Sequence, residues 1–441
     1  MEETGPRLGG DGGVVRPLID AAEPVEALAL PDAEIDSVPP PHATPVRGRA
    51  GLIVLGAALV IVSLNLRGAV TSLGPVLREA ARATALSPAL VSLLATLPCL
   101  CFGVFGPVAP WLGRRLGTER ALLAVVAALA LGIALRGLPI APALFGGSLV
   151  AYGAIGVMNV LLPGLVKRDF PHHAAIMTGL YSTALCGGAA VAAGATVPLS
   201  GAFGSWAAAL AFWALPAALA AALWATQVPW RAAGVARVGF SVRGLWSDRL
   251  AWQVSLFFGL QSALAYIVFA WLPPMLRDRG LTPAAAGFVL SLSVLAQAAA
   301  SLVAPSLAVR GRDQRAVNAA CMGLGLVGLL GCFYAPLPGL WLWAVLLGVS
   351  QGALIAVALT LIVLRSRDAH VAAHLSSMAQ TVGYLVAAAG PFVAGLLHGG
   401  LGGWDAVAAF SVALGLLGAG FGWGAGAARV VGARTVGVAG R

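Results

Sequence analysis

Twelve apolar stretches dominate this sequence, and each is long enough to cross a bilayer as a helix, which takes about 20 apolar residues. Hydrophobic residues make up 59% of the 441 positions and charged residues only 10%. That composition leaves too little polar surface for a soluble protein of this size. The sequence therefore predicts an all-α integral membrane protein. The predicted segments cover residues 51–77, 88–112, 119–137, 141–166, 173–200, 206–228, 250–276, 283–309, 316–335, 338–364, 371–398 and 404–427.

Basic residues are distributed unevenly between the loops. If the first segment starts inside the cell, 19 of the 27 Lys and Arg residues fall in loops on the inner side and five on the outer side. This is the positive-inside bias. It predicts a multi-pass protein of the plasma membrane with both chain ends in the cytoplasm. The formal charge of +10 then reports orientation in the lipid bilayer, and no nucleic-acid partner is expected.

The two halves of the chain repeat each other. Pro75-Val-Leu77-Arg78 recurs 199 residues later as Pro274-Met-Leu276-Arg277, and Leu86-Ser87-Pro88 recurs 195 residues later as Leu281-Thr282-Pro283. Two parallel repeats of six helices resemble the twelve-helix architecture of major facilitator transporters, in which the substrate site lies between the repeats near the membrane midplane. The expected division is a disordered acidic tail (1–46), a six-helix bundle (47–228), a basic cytoplasmic linker (229–249), a second six-helix bundle (250–428) and a cytoplasmic tail (429–441).

Arg67 lies inside the first apolar segment, where a charge is costly and normally faces a cavity or a partner. Of the 17 acidic residues, nine lie in the N-terminal tail and the others at segment ends. No carboxylate is therefore available inside the membrane, and an anionic ligand is the simplest counter-charge. The alternative is an arginine whose side chain snorkels to the headgroups.

Several motifs, taken in order, carry a closer resemblance. Asn65-Leu-Arg67-Gly-Ala-Val-Thr71, Trp271-Leu-Pro273-Pro274 and Gln380-Thr-Val-Gly-Tyr384 resemble the cyanate and 2-nitroimidazole transporter (CynX/NimT) family of the major facilitator superfamily. The resemblance implies a secondary transporter that moves a small anion or a nitro-heterocycle by alternating access, with no cofactor. It also implies a small-molecule substrate, expected to be anionic, and a monomeric protein.

Two positions depart from the patterns that these families show. Family members usually carry proline directly after the arginine of the first segment, whereas this chain has Gly68, so a kink there is not assured. Superfamily members commonly have an acidic residue in the loop after the second segment, where this chain has Arg114-Arg115. Gating must then use other contacts, and the expected residues are Arg114, Arg115, Glu119, Asp169, Arg310 and Arg315.

Arg67 is predicted to be the main substrate contact, because its guanidinium is a planar fork of donors that stays charged at any working pH. Polar residues of the segments that line the central cavity in the resembled fold are predicted to add hydrogen bonds. For each of them alone, an interhelical hydrogen bond is the alternative. These residues are Asn65, Thr71, Tyr152, Asn159, Gln261, Tyr266, Gln351, Gln380 and Tyr384.

Other functions remain open at this stage. An exporter of neutral aromatic compounds is the main alternative, because Tyr266 and Trp271 could line its pocket. An intramembrane enzyme is a remote one: Gly348-Val-Ser350-Gln-Gly352 matches the nucleophile-elbow pattern but lacks the strand-to-helix turn that the elbow needs. No carboxylate or histidine is placed to carry protons through the membrane, and Glu79, just past the first segment, is the nearest exception.

Overall fold

The computed structural model describes residues 1–2, 49–170, 173–228, 240–308, 310–311 and 313–437. Most of the predicted tail (3–46), linker positions 229–239 and the chain from 438 onward lie outside the described residues. Fifteen α-helices are found in the described part of the chain. They are α1 (Arg49–Thr71), α2 (Leu73–Ala83), α3 (Pro88–Phe105), α4 (Val108–Leu116), α5 (Thr118–Leu135), α6 (Ala141–Asp169), α7 (Ala174–Phe203), α8 (Trp206–Phe212), α9 (Ala214–Ala225), α10 (Arg249–Asp278), α11 (Pro283–Ala308), α12 (Arg315–Tyr334), α13 (Leu340–Leu364), α14 (Ala369–Leu401) and α15 (Asp405–Ala425).

Twelve of the described segments are long and apolar enough to cross a membrane, which confirms the predicted helical membrane fold. α8 and α9 together make the sixth segment, α2 continues α1, and α4 continues α3. Polar caps mark where several helices begin. Asp248 accepts hydrogen bonds from the backbone N–H groups of Leu250 and Ala251 at the start of α10, and Asp368 accepts one from Val371 in α14. Such caps satisfy N–H groups that have no partner within the helix.

The helix ends define two faces of the molecule. Because the number of segments is even, α1 begins and α15 ends on the same face, here called the basic face. It carries Arg114, Arg115, Arg168, Arg315 and Arg365. The opposite face, here called the distal face, carries the end of α2, the end of α10 and the starts of α3 and α11.

The first membrane segment is helical on both sides of Arg67. α1 continues through Gly68 to Thr71, and α2 begins at Leu73. Thr71 fastens α1 to its neighbour, because its hydroxyl donates to the carbonyl of Ala189 in α7 at 2.8 Å. The helix is therefore continuous through Gly68, and at Ser72, between α1 and α2, the backbone stays helical and its N–H donates to the Gly68 carbonyl at 3.0 Å.

A small β-sheet on the basic face was not predicted. Residues Phe240–Arg243 (β1) pair antiparallel with Arg434–Gly437 (β2), with Val242 opposite Thr435. Two hydrogen bonds hold the approach to β2: Val431 N–H donates to the Arg365 carbonyl at 2.8 Å and Gly432 N–H to the Asp248 carboxylate at 2.6 Å. The end of the predicted linker and part of the predicted tail are thus joined in this structure.

Candidate functional site

Arg67 lies on α1, half-buried, and its guanidinium forms no ion pair or hydrogen bond with any of the described residues. Its guanidinium carbon is 5.9 Å from the centre of the Phe269 ring on α10, close enough for a cation–π attraction. Four side chains with titratable groups lie within electrostatic range of it, namely Tyr181, Cys186, Tyr266 and Tyr384. An arginine in these surroundings keeps its donors free for an added partner.

Aromatic side chains from both halves of the chain meet beside Arg67. Phe102 on α3 packs edge-to-face against Tyr384 on α14 and Tyr266 on α10, with ring centres 5.3 and 6.1 Å apart. Phe258 and Phe269 extend the cluster, at 5.3 Å from Tyr384 and 5.6 Å from Tyr266. We call these five residues the aromatic wall. No hydrogen bond occupies the hydroxyls of Tyr266 and Tyr384 within the described residues, so both remain available to a ligand.

A narrow cavity lies on the distal side of Arg67, between Tyr152, Tyr266 and Phe269. Its volume of about 20 Å³ has room for about one water molecule. Drug-sized ligands need several hundred cubic ångströms, so the path from Arg67 to the distal face is closed in this structure. Close backbone packing contributes to the closure. A Cβ added to Gly74 on α2 would lie 2.4 Å from the carbonyl oxygen of Phe269 on α10.

A second buried arginine was missed by sequence reasoning. Arg136, expected in an outer loop, is fully buried at the end of α5. Its Nε donates to Ser148 at 3.0 Å, its Nη1 to the Ala69 carbonyl at 2.8 Å, and its Nη2 to the Tyr152 hydroxyl. The only signal in the sequence was its place at the very end of an apolar segment, where an arginine usually points outward.

Three predicted contact residues point to the backbone instead of toward Arg67. Asn65 donates to the Ile61 carbonyl at 2.8 Å and to Pro216 of α9 at 3.4 Å. Thr71 holds α7, as described above. Gln261 donates to the Phe258 carbonyl at 3.0 Å and to Ser262 at 2.7 Å. These donors are thus used between or within helices in this structure, and substrate contact by these three residues stays a prediction.

Three other predicted polar residues form few hydrogen bonds with the described part of the protein. Gln380 donates to Ser376, one turn earlier on α14, at 3.0 Å. Asn159 on α6 is half-buried and forms no hydrogen bond within the described residues. Gln351 on α13 is buried with an amide nitrogen that has no partner among the described residues. The structure therefore gathers Arg67, Tyr266 and Tyr384 and places Tyr152 at the adjoining cavity.

The two halves are joined at the distal face by a pair of crossed ion pairs. Arg78 at the end of α2 pairs with Asp278 at the end of α10, and Arg277 pairs with Glu79 at 2.7 Å. The repeat places Arg78 and Arg277 at equivalent positions 199 residues apart, and likewise Glu79 and Asp278. Trp404 adds a hydrogen bond to Asp278 at 2.9 Å. Each half thus supplies one cation and one anion to the same contact.

On the basic face, Arg168 and Arg315 form ion pairs within their own half of the chain. Arg168 pairs with Glu119 at 2.5 Å and with Asp169 at 2.7 Å, and these partners hold the pKa of Arg168 above its usual range, the Asp169 hydrogen bond most of all. Arg315 pairs with Asp313 at 3.6 Å. Each of these three ion pairs lies within one half of the chain. The predicted gating contacts of Glu119 and Asp169 with arginines exist, but they do not join the halves.

The other three residues predicted for the gate are exposed. Arg115 lies over the ring of Trp111 at 4.7 Å. Arg114 and Arg310 are exposed at the basic face, and neither forms an ion pair across the halves within the described part of the chain. The crossed pairs at the distal face were missed because nothing in the sequence indicates which loops from different halves meet.

Comparison with known proteins places this geometry in a family. The chain is 40% identical to the 2-nitroimidazole transporter of Escherichia coli (strain K12) over 358 residues, which covers 80% of this chain and 90% of the relative. It is 30% identical to the cyanate transport protein CynX of the same organism over 342 residues, 77% of this chain and 88% of the relative. The chain belongs to the CynX/NimT family of the major facilitator superfamily. The superfamily model (Major Facilitator Superfamily) matches residues 254–425.

Solved structures show the same fold at low sequence identity. A mutant form of the nucleoside transporter NupG aligns with a TM-score of 0.68 at 15% identity, covering 83% of this chain and 99% of NupG. A bacterial homologue of the human lysosomal transporter Spinster, in an inward-facing and occupied conformation, aligns with a TM-score of 0.67 at 16% identity, covering 87% and 97%. The CynX/NimT family member described here is therefore a multi-pass membrane transporter with a small-molecule substrate, as the motif resemblance predicted.

Proposed function

We propose that this transporter moves small anions such as cyanate, or small planar nitro-heterocycles such as 2-nitroimidazole, by binding them at Arg67. The observation that carries the proposal is the unpaired guanidinium of Arg67 against the aromatic wall. A guanidinium binds carboxylate-like or nitro oxygens through two parallel N–H donors. Tyr266 and Tyr384 offer ring faces and free hydroxyls, which suit a planar ligand.

Transport by alternating access needs a gate on each side of the site. The crossed ion pairs Arg78–Asp278 and Glu79–Arg277 and the close packing at Gly74 support closure at the distal face. We assign the basic face to the cytoplasm, because positively charged loops are retained there. The described conformation is then closed to the outside, and both chain ends are cytoplasmic.

Coupling is proposed to proceed without a protein-borne proton carrier. Within the described residues, no carboxylate approaches Arg67, and the nearest candidate, Glu79, is held by Arg277 at 2.7 Å. Anion exchange or facilitated movement fits these surroundings better than an Asp or Glu relay. The site is complete within one chain, which favours a monomer, and its charges are placed for a small substrate and not for nucleic acid.

Export of neutral aromatic compounds remains the second candidate function, and the aromatic wall is the observation that favours it. An unpaired arginine repels cations but tolerates a neutral aromatic ligand. Enzymatic chemistry is not supported, because the Ser350 hydroxyl donates to the Cys321 carbonyl at 2.7 Å and so serves the packing of α13 on α12.

The proposal is tested by uptake and counterflow in proteoliposomes with labelled cyanate, nitrate, nitrite and 2-nitroimidazole. Wild type is compared with Arg67→Gln, and the exposed arginine variant Arg429→Gln is the matched control. Saturable transport of at least one probe is expected, lost in Arg67→Gln and kept in Arg429→Gln. Transport that survives Arg67→Gln in a folded protein would remove Arg67 from the site. A neutral aromatic ligand carried in place of all four probes would favour the second candidate.

A further inference from the structure

Arg136 is a cation enclosed in the membrane part of the protein without a carboxylate. All three of its guanidinium nitrogens donate to neutral oxygens, on Ser148, Ala69 and Tyr152. An arginine at the end of a membrane helix normally extends toward the headgroups, because burial of the charge is costly. A charge kept at that cost points to a role beyond anchoring the helix end.

The first consequence of this burial concerns Tyr152. Its hydroxyl oxygen accepts from Arg136, and its hydroxyl donates to the Ala69 carbonyl at 3.4 Å, with the Ser148 hydroxyl also nearby. That distance is longer than the 2.5–3.0 Å usual for an O–H donor, so the Tyr152 hydroxyl forms only a weak hydrogen bond as a donor. A phenol that accepts from a guanidinium is also polarised, which strengthens it as a donor.

The second consequence concerns the helix that carries Arg67. The Ala69 carbonyl, two residues after Arg67, accepts from Arg136 Nη1 at 2.8 Å. It lies just before Ser72, where α1 gives way to α2. Arg136 therefore holds the α1 backbone close to its junction with α2 from a different helix of the same half.

Tyr152 and Tyr266 line the same narrow cavity and lie within electrostatic range of each other. Tyr266 in turn lies within electrostatic range of Arg67. The order of groups is thus Arg136, Tyr152, the cavity, Tyr266 and Arg67. A substrate held by Arg67 and reaching toward this cavity would meet the Tyr152 hydroxyl, whose own hydrogen bond to Ala69 is long.

We propose that Arg136 is a positioning residue that holds and polarises Tyr152, so that the Tyr152 hydroxyl donates a hydrogen bond to the negatively charged group of the substrate bound at Arg67. This inference rests on the proposed function, since it needs an anionic or nitro ligand at Arg67. It adds a second recognition element, supplied from α5 and α6, to the one on α1.

A matched control comes from the other half of the chain. Arg279, also at the distal face, donates to the carbonyls of Cys332 and Ala335 at the end of α12. It caps that helix and does not line the cavity beside Arg67. Arg279→Gln is therefore expected to lower the melting temperature and to leave the KM of transport unchanged.

The experiment is a double-mutant cycle on transport kinetics. KM and Vmax for counterflow of labelled cyanate and 2-nitroimidazole are measured in proteoliposomes for wild type, Tyr152→Phe, Arg136→Gln, the double variant and Arg279→Gln. Tyr152→Phe is expected to raise KM about tenfold, the size of a lost hydrogen bond to a charged partner. Arg136→Gln is expected to raise KM by a similar factor, and the double variant no further than either one, because the two residues act as a unit.

Two results would overturn the inference while leaving the proposed function intact. In the first, Arg136→Gln raises KM by the same factor in Tyr152→Phe as in wild type. In the second, Arg136→Gln lowers the melting temperature and leaves KM unchanged. If Arg136→Gln does not fold, Arg136→Lys takes its place, since lysine keeps the charge but cannot reach three acceptors at once. The inference then requires that Arg136→Lys raises KM in wild type and has no effect on KM in the Tyr152→Phe protein. If wild type neither carries nor is thermally stabilised by any probe, the proposed function is wrong and this inference falls with it.

Discussion

Arg78 and Asp278 come from opposite halves of the chain and form an ion pair at the distal face, and the duplication repeats the contact as Arg277 with Glu79. A duplicated Arg-acid dipeptide placed about a two-fold axis pairs with its own copy, because each cation then lies opposite the other half's anion. The arrangement closes one end of the transport path with residues that a single half could not supply.

Weakening this contact should open the distal face only slightly. The side chains of Arg78 and Asp278 are 25% and 40% exposed, and such pairs stabilise by about 1 kcal/mol or less. Asp278→Asn is therefore expected to raise labelling of a Leu77→Cys reporter by an impermeant maleimide up to about fivefold, in a background without the native cysteines. Asp313→Asn, which removes a pair within one half, is the control. A protein with the charges swapped, Arg78→Asp/Asp278→Arg, should be labelled at the same rate as the protein that carries only the Leu77→Cys reporter. An unchanged labelling rate in every variant would contradict a gate at this contact.

Gly74→Ala should disturb the same closure more strongly, because the added methyl group would lie 2.4 Å from the Phe269 carbonyl oxygen. α2 must then move away from α10. We expect faster distal labelling and a lower rate of transport. Gly146→Ala is the matched control, since no atom lies within 4 Å of its added Cβ and alanine favours helix by about 1 kcal/mol. Equal labelling and transport rates in the two variants would show that the close approach of α2 to α10 at Gly74 does not hold the distal face closed.

Removing the charge of Arg67 should stabilise the substrate-free protein. The unpaired guanidinium is half-buried, and a charge without a partner in the membrane carries a desolvation cost. Arg67→Gln is expected to raise stability by about 1 kcal/mol, within the range seen when functional strain is removed, measured as a higher melting temperature in detergent. The increase should disappear when a bound anion stabilises wild type. A melting temperature below that of wild type would assign Arg67 a structural role instead.

Tyr384→Ala should separate the two classes of ligand. The Tyr384 ring packs edge-to-face against Phe102 and Phe258 at 5.3 Å from each, and aromatic contacts of this kind contribute about 0.5–1.5 kcal/mol. Loss of the ring is expected to raise KM for 2-nitroimidazole about tenfold and to change KM for cyanate much less. Tyr384→Phe should retain most of the affinity for the heterocycle. Equal losses for both ligands in Tyr384→Ala would mean that the ring supports the fold and does not contact the substrate.

Ligand binding should depend little on pH. Arg67 stays protonated throughout the physiological range, and no carboxylate pairs with it within the described residues. Nitrate binding, followed by its effect on melting temperature, is expected to be constant between about pH 6 and 8, where only histidine among unperturbed side chains titrates. A pH dependence that vanishes in Glu79→Gln would instead identify Glu79 as a proton carrier.

Much of the fold was predictable because the bilayer imposes length and polarity on each segment. The twelve segments, the duplication and the unpaired Arg67 could all be read from residue types along the chain. The site was predicted less well. Asn65, Thr71 and Gln261 have the polarity of ligand contacts, but their donors bind backbone carbonyls. Any polar residue in lipid must find a partner, so residue type cannot distinguish a substrate contact from a helix-packing contact.

The sequence by itself determined the membrane-spanning helices, the repeat and the presence of a cation that no carboxylate accompanies, because these depend on local composition and spacing. Only the tertiary structure decided which groups meet. Arg136 turns inward to Tyr152 instead of outward to lipid, the Arg78 and Arg277 pairs cross between the halves, and Phe102 joins Tyr266 and Tyr384 beside Arg67. These contacts link residues 16 to 282 positions apart, and their geometry follows from how helices pack, which no local pattern encodes.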